Sequence, residues 1–221
     1  MIGETTLRYM ILFVLAFCLV ISDSYAQDDI LIPGEVKTEK LETDNENILG
    51  ARATGVIEAP IDTVWKVLND FNKFKEFMPN MDESFLVDKA VIKEIKQKRQ
   101  WDRGPFEKIL KKYKLNHANS DTVCSYSVLD LPWPAKDRWY LIKNIVNNEK
   151  HTKHWSYVQG NMKVCEGSWE LQHYGVDNSQ TVVVYTTYSD AGGDIPKWIV
   201  ELGYNVTLED VIIELRKRVL R

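Results

Sequence analysis

The residues of this chain that could do chemistry are few and scattered. Asp137 and Arg138 adjoin just after the rigid turn Leu131-Pro-Trp-Pro134, and on a strand neighbouring side chains project to opposite faces. One of the two charges is therefore expected to look toward the interior. A buried arginine needs a carboxylate or other polar partner. Arg138 is expected to point inward or toward a mouth, where it would anchor a polar ligand head or an internal acid; a structural salt bridge to a helix or neighbouring strand is the competing expectation. His151 and His154, three apart on an expected strand, would face opposite sides and make a poor metal pair, and His117 and His173 stand alone in sequence. There is no Cys-x-x-Cys, His-Glu-x-x-His, Gly-x-Ser-x-Gly or phosphate-cradling glycine loop. No catalytic residue, metal or cofactor is assigned on this basis. Cys124 has no adjacent histidine that would activate it. Cys124 and Cys165 could bridge in an oxidising compartment or remain two buried thiols, and sequence does not give their separation.

The elements that would position these groups are legible from periodicity. Alternation begins near Ala51, with Ala53, Gly55 and Ile57 on one side, and Pro60 ends it. Val64, Trp65, Leu68 and Phe71 then recur at helical spacing, followed by a short turn of helix over 73–77. The segment 88–113 predicts two helices separated by Gly104-Pro105. Beyond Asp121 come five runs of strand formers, 122–129, 138–146, 151–159, 165–174 and 181–189. Asn147-Asn148, Gly160-Asn161 and Asp177-Asn178 supply turn chemistry between them. Consecutive short strands with tight turns imply an antiparallel meander. The chain closes on a long amphipathic helix from Ile195 to Val219, which Asn205–Asp210 could kink. Asn205-Val206-Thr207 matches a glycan acceptor but lies inside that helix and is discounted.

Two N-terminal segments stand apart. Tyr9–Ile21 is an unbroken apolar run after Arg8 and before Ser24-Tyr25-Ala26, the pattern of a cleaved export signal over residues 1–26. It is short for a membrane span, which needs roughly 20 residues. An uncleaved membrane anchor is the alternative. Residues 27–48 carry little apolar periodicity and are expected to be a flexible lead-in, leaving 49–221 as one domain. The whole chain has a formal charge of −4, and loss of Glu4, Arg8 and Asp23 leaves −3. That balance gives no nucleic-acid footprint, although Lys108, Lys111, Lys112 and Lys114 form a local contact patch or a solvated face.

Five blocks in order carry a resemblance: Val64-Trp65 to Asp70, Phe77-Met78-Pro79-Asn80-Met81-Asp82-Glu83-Ser84, Pro132-Trp133-Pro134 to Arg138, Gly167-Ser168-Trp169, and Gly192-Gly193-Asp194-Ile195-Pro196. Over roughly residues 50–220 the chain resembles the START lipid-transfer domain family within the helix-grip superfamily, which includes polyketide cyclases. The resemblance implies an α+β helix-grip fold, a curved antiparallel sheet wrapped around a long C-terminal helix. It also implies an internal cavity for a hydrophobic small molecule or lipid, with transient membrane contact. Trp139 follows Arg138 where many relatives carry an acidic residue, and this weakens any transferred headgroup role for the arginine. The expected ligand-binding residues are Arg138, Trp155, Trp169, Tyr185 and Tyr188, with Trp198 and Leu202 on the C-terminal helix; Gly192 and Gly193 are the expected hinge. The leading expectation is an exported carrier, periplasmic or secreted. A cyclase or hydratase on the same scaffold and an envelope interaction module without ligand are the alternatives.

Overall fold

The computed structural model describes residues 31–98, 100–193, 195 and 207–221. Its elements run β1 Val36–Leu41, β2 Leu49–Ile57, α1 Ile61–Leu68, a 3-10 turn Phe71–Glu76, β3 Met81–Val87, α2 Val91–Ile95, α3 Arg103–Lys112 and β4 Lys114–Leu115. They continue with β5 Thr122–Leu129, β6 Arg138–Asn147, β7 Thr152–Gly160, β8 Val164–Tyr174, β9 Gln180–Asp190 and α4 Leu208–Val219. The nine strands form one curved, unclosed antiparallel sheet of order β1-β2-β9-β8-β7-β6-β5-β3-β4. The five expected strands of the second half lie within a residue or two of where alternation puts them, and two helices are present in 88–113, although Gly104-Pro105, expected to separate them, falls in the first turn of α3, where a proline needs no backbone donor.

Three strands escape the sequence reading. Most consequential is β1, which occupies part of the expected flexible lead-in and pairs with β2 from Val36–Gly55 to Leu41–Gly50. It is an edge strand carrying Lys37, Glu39 and Lys40, so its charged composition hides it from an apolar pattern while protecting the edge. β3 and the two-residue β4 were also missed.

The sheet has a core on each side. On its inner face, the odd positions of β2, Ala51, Ala53, Gly55 and Ile57, meet α1 and α4, joined by Tyr140, Trp155, Trp169, Leu171 and Val183. Small side chains here let α4 lie close. A Cβ on Gly55 would sit 2.8 Å from Ile212 Cγ2, so only glycine accepts the helix at this depth. Arg216 of α4 then donates to the Val56 carbonyl from Nε (3.1 Å) and Nη2 (3.0 Å), which fixes the helix to β2. On the outer face, α2 and α3 bury Val91, Ile95, Phe106 and Leu110 against Phe85, Cys124, Tyr126, Val128, Trp139 and Leu141. Alternation along β5 and β6 sends neighbouring residues into the two different cores.

α1 is anchored at the end of the sheet holding the β6–β7 turn. Trp65 Nε1 donates to Asn148 Oδ1 at 3.0 Å. The left-handed residue of that turn is His151, with φ 48, rather than an asparagine. His151 Nε2 lies 3.2 Å from Asp62 Oδ1 and its ring meets Trp65 edge-on at 5.6 Å. It also comes within 6.5 Å of the exposed His173 ring, so two histidines far apart in sequence meet at this corner.

Candidate functional site

The inner face of β6 to β9 carries an aromatic wall. Trp155 and Tyr185 stack with centroids 5.7 Å apart and planes at 19°, and Trp169 lies 4.6 Å from Tyr185 at 44°. Register explains the grouping: Trp169 is the cross-strand partner of Tyr185, and Trp155 that of Gly167. A Cβ on Gly167 would collide with the Trp155 ring, so the glycine gives the indole its place. Three of the sequence-predicted residues, Trp155, Trp169 and Tyr185, are thus brought together.

Tyr140, Tyr157 and Cys165 join them on the same face, and the sequence reading missed them as site residues. The signal was present as period-two alternation, Lys153-Trp155-Tyr157 on β7 and Arg138-Tyr140-Ile142 on β6. Burial pushes the Cys165 thiol up to about 12, and the Trp155 indole opposes this only in part through a hydrogen bond to the sulfur. Burial likewise raises the Tyr157 and Tyr185 phenols to about 12, and Tyr140 well above its ordinary value. At neutral pH the wall is uncharged, an apolar surface dotted with hydroxyls.

Deeper polar groups satisfy one another. Asn144 Nδ2 donates to Ser125 Oγ at 2.9 Å, with both residues buried. Lys153 is fully buried, and its ammonium donates to the Leu68 carbonyl at the C-terminal end of α1. Its nitrogen also lies 4.4 Å from the centre of the Phe71 ring and 5.0 Å from that of Phe74. Burial brings the Lys153 pKa down to about 7 from 10.5.

Arg138 is buried, as expected of one member of the charged pair, but its donors turn to backbone oxygens. Nε donates to Ala191 O (2.6 Å), Nη1 to Lys136 O (2.7 Å) and Nη2 to Gly192 O (2.7 Å). The acid or headgroup partner of the sequence reading is replaced by the chain leaving β9. Asp137, on the other side, accepts from Arg103 Nη1 of α3 at 3.3 Å. Gly192 and Gly193 have φ of 63 and 70, the left-handed region in which glycine carries no side-chain penalty.

Tyr188 sits three residues from Tyr185 on β9 and therefore on the opposite face of the sheet. There it borders two shallow outer clefts, one with Glu42, Thr43 and Glu166, the other with His154, Ser168 and Thr186. It does not share the aromatic wall. Trp198 and Leu202 lie outside the described residues. Cys124 and Cys165 are both free and buried in different cores, Cys124 beneath α2 and α3 and Cys165 on the inner face. Among the described residues no group of three or more His, Cys, Asp or Glu is placed to hold a metal ion.

A curved antiparallel sheet with a C-terminal helix across its inner face defines a START-like, helix-grip protein. The family described as polyketide cyclase / dehydrase and lipid transport matches residues 57–216, more than half of the chain, and the chain belongs to it. No curated protein matches it by sequence. Among solved structures it is similar to the STAR-related lipid transfer protein of Xanthomonas axonopodis, with 18% identity and TM-score 0.63, covering 86% of this chain and 96% of that one. It is similar also to human STARD10, with 15% identity and TM-score 0.58, covering 84% and 69%. The Zhui aromatase/cyclase from Streptomyces sp. R1128 shares 13% identity and TM-score 0.53 over 79% and 94%. At these identities the structural likeness establishes the fold alone.

Proposed function

We propose that this chain is an exported carrier, periplasmic or secreted after loss of residues 1–26, that holds a hydrophobic ligand, a lipid, against the inner face of the sheet beneath the C-terminal helix. The observation that carries this reading is the grouping of Tyr140, Trp155, Trp169 and Tyr185 on the inner face, in one apolar cluster with Leu208, Val211, Ile212 and Leu215 of α4. Rigid rings present wide apolar area at low entropic cost. Burying ligand surface yields roughly 25 cal/mol per Å², enough to retain an acyl chain or a fused-ring skeleton without covalent chemistry. Release follows movement of the C-terminal helix about Gly192 and Gly193, during transient contact with a membrane.

The test is native mass spectrometry of the purified protein with organic extraction of its cargo. The expected result is one apolar molecule per chain, lost from the Tyr185→Ala variant. Absence of any bound apolar molecule, together with failure to take up a fluorescent acyl probe, would overturn the reading. Export is tested separately by N-terminal sequencing of the processed protein, which should begin at Gln27.

A further inference from the structure

We propose that the helical insert between β3 and β4 is a lysine surface that docks the protein onto an anionic lipid bilayer. The insert together with Lys114, the first residue of β4, contains ten basic residues against four acidic ones, a net of +6 in a chain whose total is −4, so the remainder carries −10. The molecule is electrically divided, and the division falls on one structural unit.

Side-chain direction turns that composition into a surface. In α2 the buried positions are Val91 and Ile95; Lys93, and Lys89 and Lys96 just beyond its two ends, lie on the opposite side and are exposed. In α3 the buried positions are Phe106 and Leu110, and Lys108, Lys111 and Lys112 lie opposite. Both helices press their apolar sides into the same outer core, so both lysine rows project away from the sheet. Among the described residues only Lys111 of these six reaches a carboxylate, Glu107 at 3.9 Å. Three of the insert's four acids are occupied locally. Asp88 accepts from the Ala90 N–H and from Asn119, Glu94 from the Tyr113 hydroxyl, and Glu107 from Arg103 and Tyr126. Glu107 is paired with Arg103, and the outward sides of the two helices are left to the lysines.

A bilayer fits this surface better than a nucleic acid. Lysine offers compact point charges suited to a plane of monovalent headgroups, whereas Arg103, whose planar fork would suit phosphate recognition, is committed to Glu107 and Asp137. The −10 elsewhere disfavours a polyanion that wraps the protein, and it orients the molecule with its basic side toward a flat negative sheet. Trp101, half-buried at the edge of the insert with Lys98 Nζ 5.0 Å from its ring centre, is the amphipathic side chain found at membrane interfaces.

The test is cosedimentation of the full chain with vesicles of pure phosphatidylcholine or of phosphatidylcholine containing phosphatidylglycerol. The difference between the two cancels any contribution of the apolar run Tyr9–Ile21. Binding specific to the anionic vesicles is expected, weakening as salt shortens the Debye length from about 10 Å at 0.1 M. Reversal of three lysines, in K108E/K111E/K112E or independently in K89E/K93E/K96E, is expected to weaken it roughly a hundredfold. A control reversing Lys40, Lys66 and Lys150, which lie off the insert, should retain it. Circular dichroism verifies folding, and if one triple variant fails to fold the other interrogates the same surface. Equal binding to both vesicle types, equal loss in the control, or equally tight binding to duplex DNA would each overturn the proposal. None of these outcomes depends on cargo at the inner face, so the carrier reading stands or falls separately.

Discussion

The Arg138 guanidinium donates to the carbonyl of Gly192 at 2.7 Å, and a Cβ on Gly193 would lie 3.3 Å from the same nitrogen. The first residue of β6 thereby holds the chain as it leaves β9. With Ala191 and Lys136 taking the other two bonds, the arginine clamps the segment that leads to the C-terminal helix rather than meeting an acid.

Arg138→Ala is expected to cost about 2–3 kcal/mol, because hydrogen bonds to a charged group disappear and buried carbonyls lose their donor. Arg138→Lys should recover little of it, since an ammonium cannot reproduce the fork. Chemical denaturation measures the loss. Cargo recovered from the folded fraction should be unchanged in amount, and its selective disappearance would return Arg138 to a ligand-anchoring role.

Gly55→Val should destabilise by about 1–3 kcal/mol through overpacking against Ile212. Hydrogen exchange would show the loss concentrated in α4. A variant as stable as the parent would mean that the helix has room to lift.

Lys153 makes stability depend on pH. Its folded pKa of about 7 lies below the ordinary 10.5, so between these values the unfolded chain holds more protons than the folded one. Stability attributable to this residue therefore rises with pH across that window, and the penalty for charging it is fully present below about 7. Thermal melts at pH 7 and pH 9.5 should show the parent gaining relative to Lys153→Met. Parallel curves for the two proteins would show that the Leu68 carbonyl and the Phe71 and Phe74 rings hold the charge without penalty.

Tyr126 donates to Glu107 at 2.7 Å, and Arg103 donates to the same carboxylate at 2.8 Å. Burial pushes Glu107 up, but these two hydrogen bonds outweigh it and hold the carboxyl below its ordinary value of 4.5. Its stabilising contribution is thus present above about 4.5 and is lost as pH falls through the lower folded value. Tyr126→Phe should cost about 1–3 kcal/mol and loosen α3, read by hydrogen exchange in residues 103–112. It should also flatten the acid limb of the stability profile.

Local pattern was enough for the five strands of the second half, the two helices of the insert, α1, and the aromatic residues Trp155, Trp169 and Tyr185 as wall formers. In each case a side chain's apolarity and its position in a short period reveal which way it faces. Pattern failed at β1, whose edge position favours charges, and at Tyr188, an aromatic residue judged by type when its odd spacing from Tyr185 placed it outside. Only tertiary structure decided what Arg138 touches, that Lys153 is buried at the end of α1, and that the lysines of α2 and α3 share one exposed side. These depend on residues far apart along the chain meeting through strand register and helix packing, and no local period encodes such a meeting.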